Sequence, residues 1–302
     1  MPKIIPKRTF SELKAALRRW RRLTIRDNFL FQKTMQEYPE LCKRLCELII
    51  GRKIVSISFP TTEKSIKMRR TSKGIRLDVY VLDETGRVIN MEMQPVRKKN
   101  LPKRMRIYQG LIDLDWLEQG HDYDDLAETW IVFICDFDPF DLGRSVYIFH
   151  TACDEAPKLK IDDGSTKTFL NARGSSRKID KELLAFLRYV AGKSTKSKFV
   201  RELDAALQSV KNERKWRLEY MVYDFAMYDK LKEGLEKGLE KGLEKGRKEG
   251  HEKGRKEGRK EGIVTSLKNL ILNAGITLDK AMEMLGVPSR ERAQYAAALG
   301  MT

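Results

Sequence analysis

The sequence predicts an α/β domain, a mixed sheet flanked by helices, followed by an all-helical C-terminal region. Three observations predict it. Strand patterns of period two ("GIRLDVYVL", "RVINMEMQ", "WIVFICDF", "SVYIFH") are interleaved with stretches of helical periodicity. From "DKELLAFLRYV" onward the pattern is helical throughout. Between Glu233 and Ile263 a glycine recurs at every fourth position, eight from Gly234 to Gly262, among residues that otherwise favour helix.

Residues 8–22 place apolar and basic residues at helical spacing, an amphipathic basic helix with Trp20 as its anchor. "DNFLFQKTMQEYPELCKRLCELIIGRK" reads as two helices broken near Pro39 and ended by Gly51. Strands follow at "IVSISFP" and in the two patterns around "DETGR"; "LPKRMRIYQGLIDLDWLEQG" is a helix that stops at Gly120. With "WIVFICDF" and "SVYIFH" the order becomes α–βββ–α–ββ–α, the pattern of helices covering a mixed sheet. The divisions expected are a basic segment at 1–22, the α/β domain at 23–180, a helical region at 181–232, a charged helical linker at 233–262 and a small helical unit at 263–302.

Composition narrows the function. The chain has 302 residues, 41% of them hydrophobic, enough for a sizeable core. Its net charge of +17 favours nucleic acid or an anionic surface as partner, the alternative being a merely cationic surface. No apolar run approaches a membrane span, and "MPKIIPKRTF" lacks an apolar signal region, so a cytoplasmic protein is expected. The four cysteines (Cys42, Cys46, Cys135, Cys153) fit a reducing compartment; Cys42 and Cys46 share a helix face but lack the second pair of a zinc site. The histidines (His121, His150, His251) are scattered, and no nucleotide-binding glycine motif appears.

The hairpin "GIRLDVYVLDETGRVINMEMQ" carries the candidate chemistry. A loop at 83–87, with Gly86 at a positive φ, sets Leu82 against Val88 and Asp78 against Glu92. Alternation then puts Asp78, Tyr80, Asn90, Glu92 and Gln94 on one face, and Leu77, Val79, Val81, Ile89, Met91 and Met93 on an apolar one. Carboxylates on cross-strand neighbours, roughly 5 Å apart, repel unless a cation lies between them. Two hard oxygen donors completed by water describe a Mg²⁺ site, which can activate water and stabilise a phosphodiester in flight. A half-exposed hairpin whose acids meet solvent is the other interpretation.

The segments "LTIRDNFLFQKTM", "KGIRLDVYVLDETGRVINMEMQ", "LPKRMRIYQGLIDLDWLEQGHDYDDL" and "IVFICDFDPF", with the glycine repeat behind them, resemble the bacterial recombination-promoting nuclease and transposase family of the PD-(D/E)XK nuclease superfamily. The resemblance spans roughly 23–262 and implies a restriction-endonuclease-like core with Mg²⁺-dependent DNA cleavage. It makes Asp78 and Glu92 the acidic metal ligands, sets Gln94 where lysine is usual, and matches Asp27 on the first helix to a residue that completes some such sites. Glutamine orients water by hydrogen bonds but supplies no charge. Lys73 or Arg76 is available to compensate, Arg76 from the face of Asp78.

Basic residues elsewhere extend this expectation. On the helix "RMRIYQ", Arg104 and Tyr108 share one face and Arg106 and Gln109 another; either pair meets backbone phosphate, or the helix is simply solvated and basic with Tyr108 packed. "GITLDKAMEMLGVPSRERAQ" resembles a helix-turn-helix with Ser289 as N-cap and Arg290 and Arg292 in the first turn of its last helix, a DNA contact or a dimerisation device. The glycines advance 40° per repeat around a helix, so they wind rather than line one face. Such a helix is either packed closely on another copy, making a homo-oligomer with the C-terminal unit, or a solvated spacer. The function expected is a Mg²⁺-dependent DNA endonuclease tied to transposition or recombination; the alternative is an inactive DNA-binding accessory protein.

Overall fold

The computed structural model describes residues 8–59, 65–66, 75–118, 120, 122–175 and 178–301, with only the backbone of residues 65, 66, 75, 76 and 118. The chain divides into two compact units at Phe225 and Ala226.

The first unit opens with α1 (Phe10–Arg22), α2 (Asn28–Glu37) and α3 (Pro39–Ile50). Thr9 caps α1 in a capping box with Glu12, and Asp27 caps α2. Pro39 starts α3 and Gly51, at φ 75°, ends it in the left-handed conformation that glycine adopts without strain. The strands are β1 (Ile57–Ser58), β2 (Ser65–Ile66), β3 (Ile75–Arg76), β4 (Val79–Asp83) and β5 (Val88–Gln94). After α4 (Leu101–Glu118) come β6 (Thr129–Cys135), β7 (Val146–Phe149) and β8 (Ser165–Asn171), then α5 (Lys181–Val190), α6 (Lys198–Asn212) and the start of α7 (Arg214–Ala274).

Six strands form one mixed sheet in the order β1-β4-β5-β6-β8-β7, and β2 pairs with β3 separately. β5, β6 and β8 are parallel, and the pairs β1–β4, β4–β5 and β7–β8 are antiparallel. The helix α4 makes the crossover that a parallel β5–β6 pair requires. Helices cover both faces, which explains why every residue of β5 and β6 is buried. On one face Val79, Val81, Ile89, Met91, Met93, Val132 and Ile134 pack with residues of α2, α3, α5 and α6. On the other, Ile131, Phe133 and Cys135 pack under Leu101, Met105, Tyr108 and Ile112 of α4. The mixed sheet flanked by helices, with a helical C-terminal region, is the architecture the sequence predicts.

Three details differ from expectation. "IVSISFP" contributes only the two residues of β1 to the sheet. β8, whose "STKTFLN" begins with polar residues and shows no apolar run, forms a strand between β6 and β7; its β-branched Thr166 and Thr168 are buried there. The polar face of the hairpin is not solvated: Asn90, Glu92 and Gln94 are buried beneath α4.

Beyond β8 the chain passes close to the start of β7. A Cβ placed on Gly174 would lie 2.5 Å from Ser145 Cα and 2.7 Å from Arg144 C and O, all backbone atoms. Gly174→Ala is therefore expected to destabilise the unit by about 1–3 kcal/mol, seen as a lower urea midpoint with unchanged slope.

In the second unit α7 continues through every repeat glycine to Ala274, where Gly275 at φ 69° ends it. Pairs at i,i+4, such as Glu244–Lys248 at 2.6 Å and Glu252–Lys256 at 2.8 Å, support it, in place of the i,i+3 pairs the charge pattern also allows. Then α8 (Leu278–Met284) and α9 (Ser289–Ala298) close a small core of Leu267, Ala281, Met282, Val287 and Tyr295. Pro288, not Ser289, occupies the N-cap of α9, and no side chain caps it.

Candidate active site

The hairpin turn fixes the site's register. Asp83 Oδ1 accepts from the N–H groups of Thr85 (2.9 Å) and Arg87 (3.0 Å), and Gly86 takes φ 80°. Leu82 pairs with Val88 and Val79 with Met91, so Asp78 falls opposite Glu92. The chain bends at Asp78, one residue before β4. That bend interrupts the alternation, and Leu77 packs with Tyr80 on the α4 face rather than with Val79.

The two acids meet at the end of the hairpin. Asp78 N–H donates to Glu92 Oε1 at 3.0 Å. Asp78 Oδ2 accepts from Met93 N–H at 3.2 Å and from Asn28 Nδ2, on α2, at 2.6 Å. Glu92 is 2% exposed, with Tyr108 OH, on α4, 3.5 Å from its Oε2. Burial first, and the Asp78 charge second, push the Glu92 carboxyl well above the usual glutamate range. Burial likewise raises the Tyr108 phenol to about 12.

Gln94 is held from α4 as well: Arg104 Nη1 donates to its Oε1 at 2.8 Å, and Arg104 Nη2 donates to Tyr108 OH at 2.7 Å. The guanidinium lies 5.5 Å from the centroids of both the Tyr108 and Phe133 rings.

The structure thus brings together Asp78, Glu92, Gln94, Arg104 and Tyr108. Arg106 is exposed on α4. Asp27 spends its Oδ1 on the N–H groups of Phe29 (3.1 Å) and Leu30 (3.2 Å) as the cap of α2. It is the next residue, Asn28, that reaches Asp78, and only the helix start at this point of the sequence hinted at it. Arg290 and Arg292 sit in the second unit; Arg290 is 3.6 Å from Glu291, and Arg292 Nε donates to Val287 O at 3.3 Å. Of Arg76 only the backbone, in β3, is described; Lys73 and His121 lie outside the described residues.

Among the described residues no group of three or more His, Cys, Asp or Glu side chains gathers as a metal cluster. The donors present still fit a hard divalent cation. Asp78 and Glu92 supply carboxylate oxygens, and Asn90 Oδ1 beside them is buried with no hydrogen-bond partner. The Asn90 amide is tied to the pair by Nδ2, 3.5 Å from Glu92 Oε1.

Basic side chains flank this end of the sheet. Arg26 and Arg173 both pair with Asp136, at the end of β6, at 2.8 Å. Arg26 also lines a cavity of about 430 Å³ with Arg21, Arg22, Lys193 and Lys211. No helix among the described residues is long and apolar enough to cross a membrane.

Residues 40–158 match a family model described as PD-(D/E)XK nuclease family transposase. The matched span holds the whole hairpin, α4 and β6. No curated protein and no solved structure matches the chain. The match supports a role related to nuclease or transposase activity.

Proposed function

We propose that the protein, whose residues 40–158 match the family model described as PD-(D/E)XK nuclease family transposase, is a Mg²⁺-dependent DNA endonuclease acting in transposition or recombination. The observation that carries this is the meeting of Asp78 and Glu92 at one rung, one acid held from α2 and the other from α4.

Asp78 and Glu92 would hold the cation, with Asn90 Oδ1 as an uncommitted oxygen beside them. When bound, such a cation lowers the pKa of water and offsets charge developing on the phosphodiester. The chain's own residues set the geometry. Asn28 and the Met93 N–H orient the Asp78 carboxylate, and the Asp78 N–H and Tyr108 orient Glu92. Burial and the Asp78 charge hold the Glu92 carboxyl above the usual glutamate range, and a cation between the two acids would offset both. Gln94 directs the attacking water through its amide. Asp27 fixes the start of α2 through Oδ1, so that Asn28 stands over Asp78, and its carboxylate is the third candidate ligand for the cation.

The DNA backbone would approach over Arg26, Arg173 and the cavity lined by Arg21, Arg22 and Lys193, which offers phosphate contacts without base readout. Arg106, exposed on α4, would add a phosphate contact; Arg76 is proposed as a DNA contact from its place in the sequence, and Arg290 and Arg292 would supply a second DNA contact from the C-terminal unit. The free thiols suit the cytoplasm. Plasmid nicking that needs Mg²⁺, stops with EDTA and is lost in Asp78→Ala tests the proposal. Wild type that cuts nothing contradicts it.

The absence of a third acid at the pair among the described residues favours one other reading, a DNA-binding accessory protein without cleavage. Salt-dependent DNA binding that is indifferent to EDTA and to Asp78→Ala is its signature.

Self-association through α7 belongs to the same proposal. Leu235, Leu239 and Leu243 are each 66% exposed, and a Cβ on any repeat glycine meets nothing within 4 Å. Replacing Gly238, Gly242 and Gly246 with Ala is expected to stabilise the helix by roughly 1 kcal/mol per site, read as higher helicity by circular dichroism. If copies pack on the glycines, the same change weakens the oligomer in sedimentation; unchanged mass at every concentration leaves α7 a spacer.

A further inference from the structure

Among the described residues Arg104 forms no ion pair: no carboxylate lies within ion-pair distance of it, and its donors go to two neutral groups, Gln94 Oε1 at 2.8 Å and Tyr108 OH at 2.7 Å. It is half-buried, against the faces of Tyr108 and Phe133. Holding an unpaired guanidinium in such a place costs desolvation, and here it stands beside two carboxylates without bonding either.

Its bond to Gln94 has a definite polarity. A guanidinium only donates, so the Gln94 atom facing Arg104 must be the oxygen. The amide nitrogen of Gln94 therefore points away from Arg104, and no described residue accepts from it. A charge-assisted bond to the oxygen polarises the amide and strengthens its N–H donors.

We propose that Arg104 and Gln94 form one phosphate-directed unit. Arg104 supplies the fixed positive charge and locks the rotation of Gln94; Gln94 presents one Nε2–H to a non-bridging oxygen of a nucleic-acid phosphodiester held beside Asp78 and Glu92, and its other N–H is left for the attacking water. Neither residue does this alone, since Gln94 carries no charge and Arg104 has its donors turned inward. Arg104 is a positioning residue that acts through Gln94. The proposal rests on the nuclease reading for its substrate.

The division of labour can be tested by merging the two roles in one side chain. Arg104→Gln keeps a donor for Gln94 but removes the charge, and is expected to lower Mg²⁺-dependent plasmid cleavage about 10²-fold. Gln94→Lys places charge and donor on one residue; the Arg104→Gln/Gln94→Lys double variant is expected to return within about tenfold of wild type. Arg104→Lys should fall between. Melting curves establish that each variant is folded. Dimethyl phosphate binding in Mg²⁺, followed by ³¹P line broadening, supplies a readout free of cleavage: weakened at least tenfold in Arg104→Gln, regained in the double variant.

A folded double variant no better than Arg104→Gln in either assay would overturn the unit, as would an Arg104→Gln variant that binds and cuts like wild type. A wild type that binds dimethyl phosphate through Arg104 yet cuts no DNA supports the unit and contradicts the nuclease reading. Wild type that does neither contradicts both.

Discussion

Glu92→Gln is expected to abolish cleavage, by roughly 10³-fold or more, while making the metal-free protein more stable at pH 8. Both effects come from one cause. The Glu92 carboxyl is 2% exposed, and burial followed by the Asp78 charge raises its pKa well above the ordinary value of 4.5. A group whose pKa is higher in the folded state contributes its stability fully below its unfolded pKa, and loses it as pH rises through the folded value. At pH 8, far above the unfolded value, that contribution is lost or reduced. Glutamine keeps an oxygen to accept from the Asp78 N–H, cannot ionise, and removes one of the two carboxylates that would hold the cation. The gain in EDTA is expected to be about 0.5–2 kcal/mol at pH 8, and to vanish below about pH 3.5, where Glu92 is protonated in both states. Thermal denaturation at the two pH values checks it. An equal loss of stability at both would mean that Glu92 acts only as a structural acceptor.

Phe133→Ala is expected to cost about 3–5 kcal/mol in urea unfolding, among the largest losses in the first unit. Phe133 is fully buried on β6, and its ring meets Tyr108 at 5.7 Å and Phe169 at 5.8 Å, both edge-on. It is also part of the floor beneath the Arg104 guanidinium, 5.5 Å away. Deleting the ring opens a cavity that the paired strands cannot collapse around, and it frees Arg104 from the orientation that serves Gln94. Phe133→Leu separates these effects. Most of the volume returns, so stability should recover to within about 1.5 kcal/mol, while the lost cation–π contact of about 0.5–2 kcal/mol leaves cleavage impaired. Full activity in Phe133→Leu would show that Arg104 needs no aromatic floor; a loss below 1 kcal/mol in Phe133→Ala would contradict the packing account.

The hairpin was legible in the sequence because its information is local. The period of two and the "DETGR" turn determine the pairing of Leu82 with Val88, and so place Asp78 against Glu92. The helix breaks at Pro39 and Gly51 are legible for the same reason. What was hidden depends on distant partners. β8 carries threonines and a lysine where a buried strand would show an apolar run, and it is recognisable only by its place between β6 and β7. The burial of Asn90, Glu92 and Gln94 requires α4 to fold back over β5, which no alternation in the strand announces. Helical periodicity put Arg104 and Tyr108 on one face but could not say that this face turns inward to Gln94 and Glu92. Asp27 is a candidate ligand by its match to other sites; that its Oδ1 caps α2 and that Asn28, the next residue, contacts Asp78 depend on how α2 docks on the hairpin. The repeat glycines, the most conspicuous feature of the sequence, are open: a Cβ on any of them meets nothing within 4 Å.

The central claim is that Asp78 and Glu92 hold a catalytic cation. Its most direct test is plasmid cleavage by purified wild type and Asp78→Ala, each with Mg²⁺ and with EDTA. The account predicts cleavage only by wild type with Mg²⁺; cleavage that survives EDTA or the loss of Asp78, or a folded wild type that leaves the plasmid intact, would contradict it.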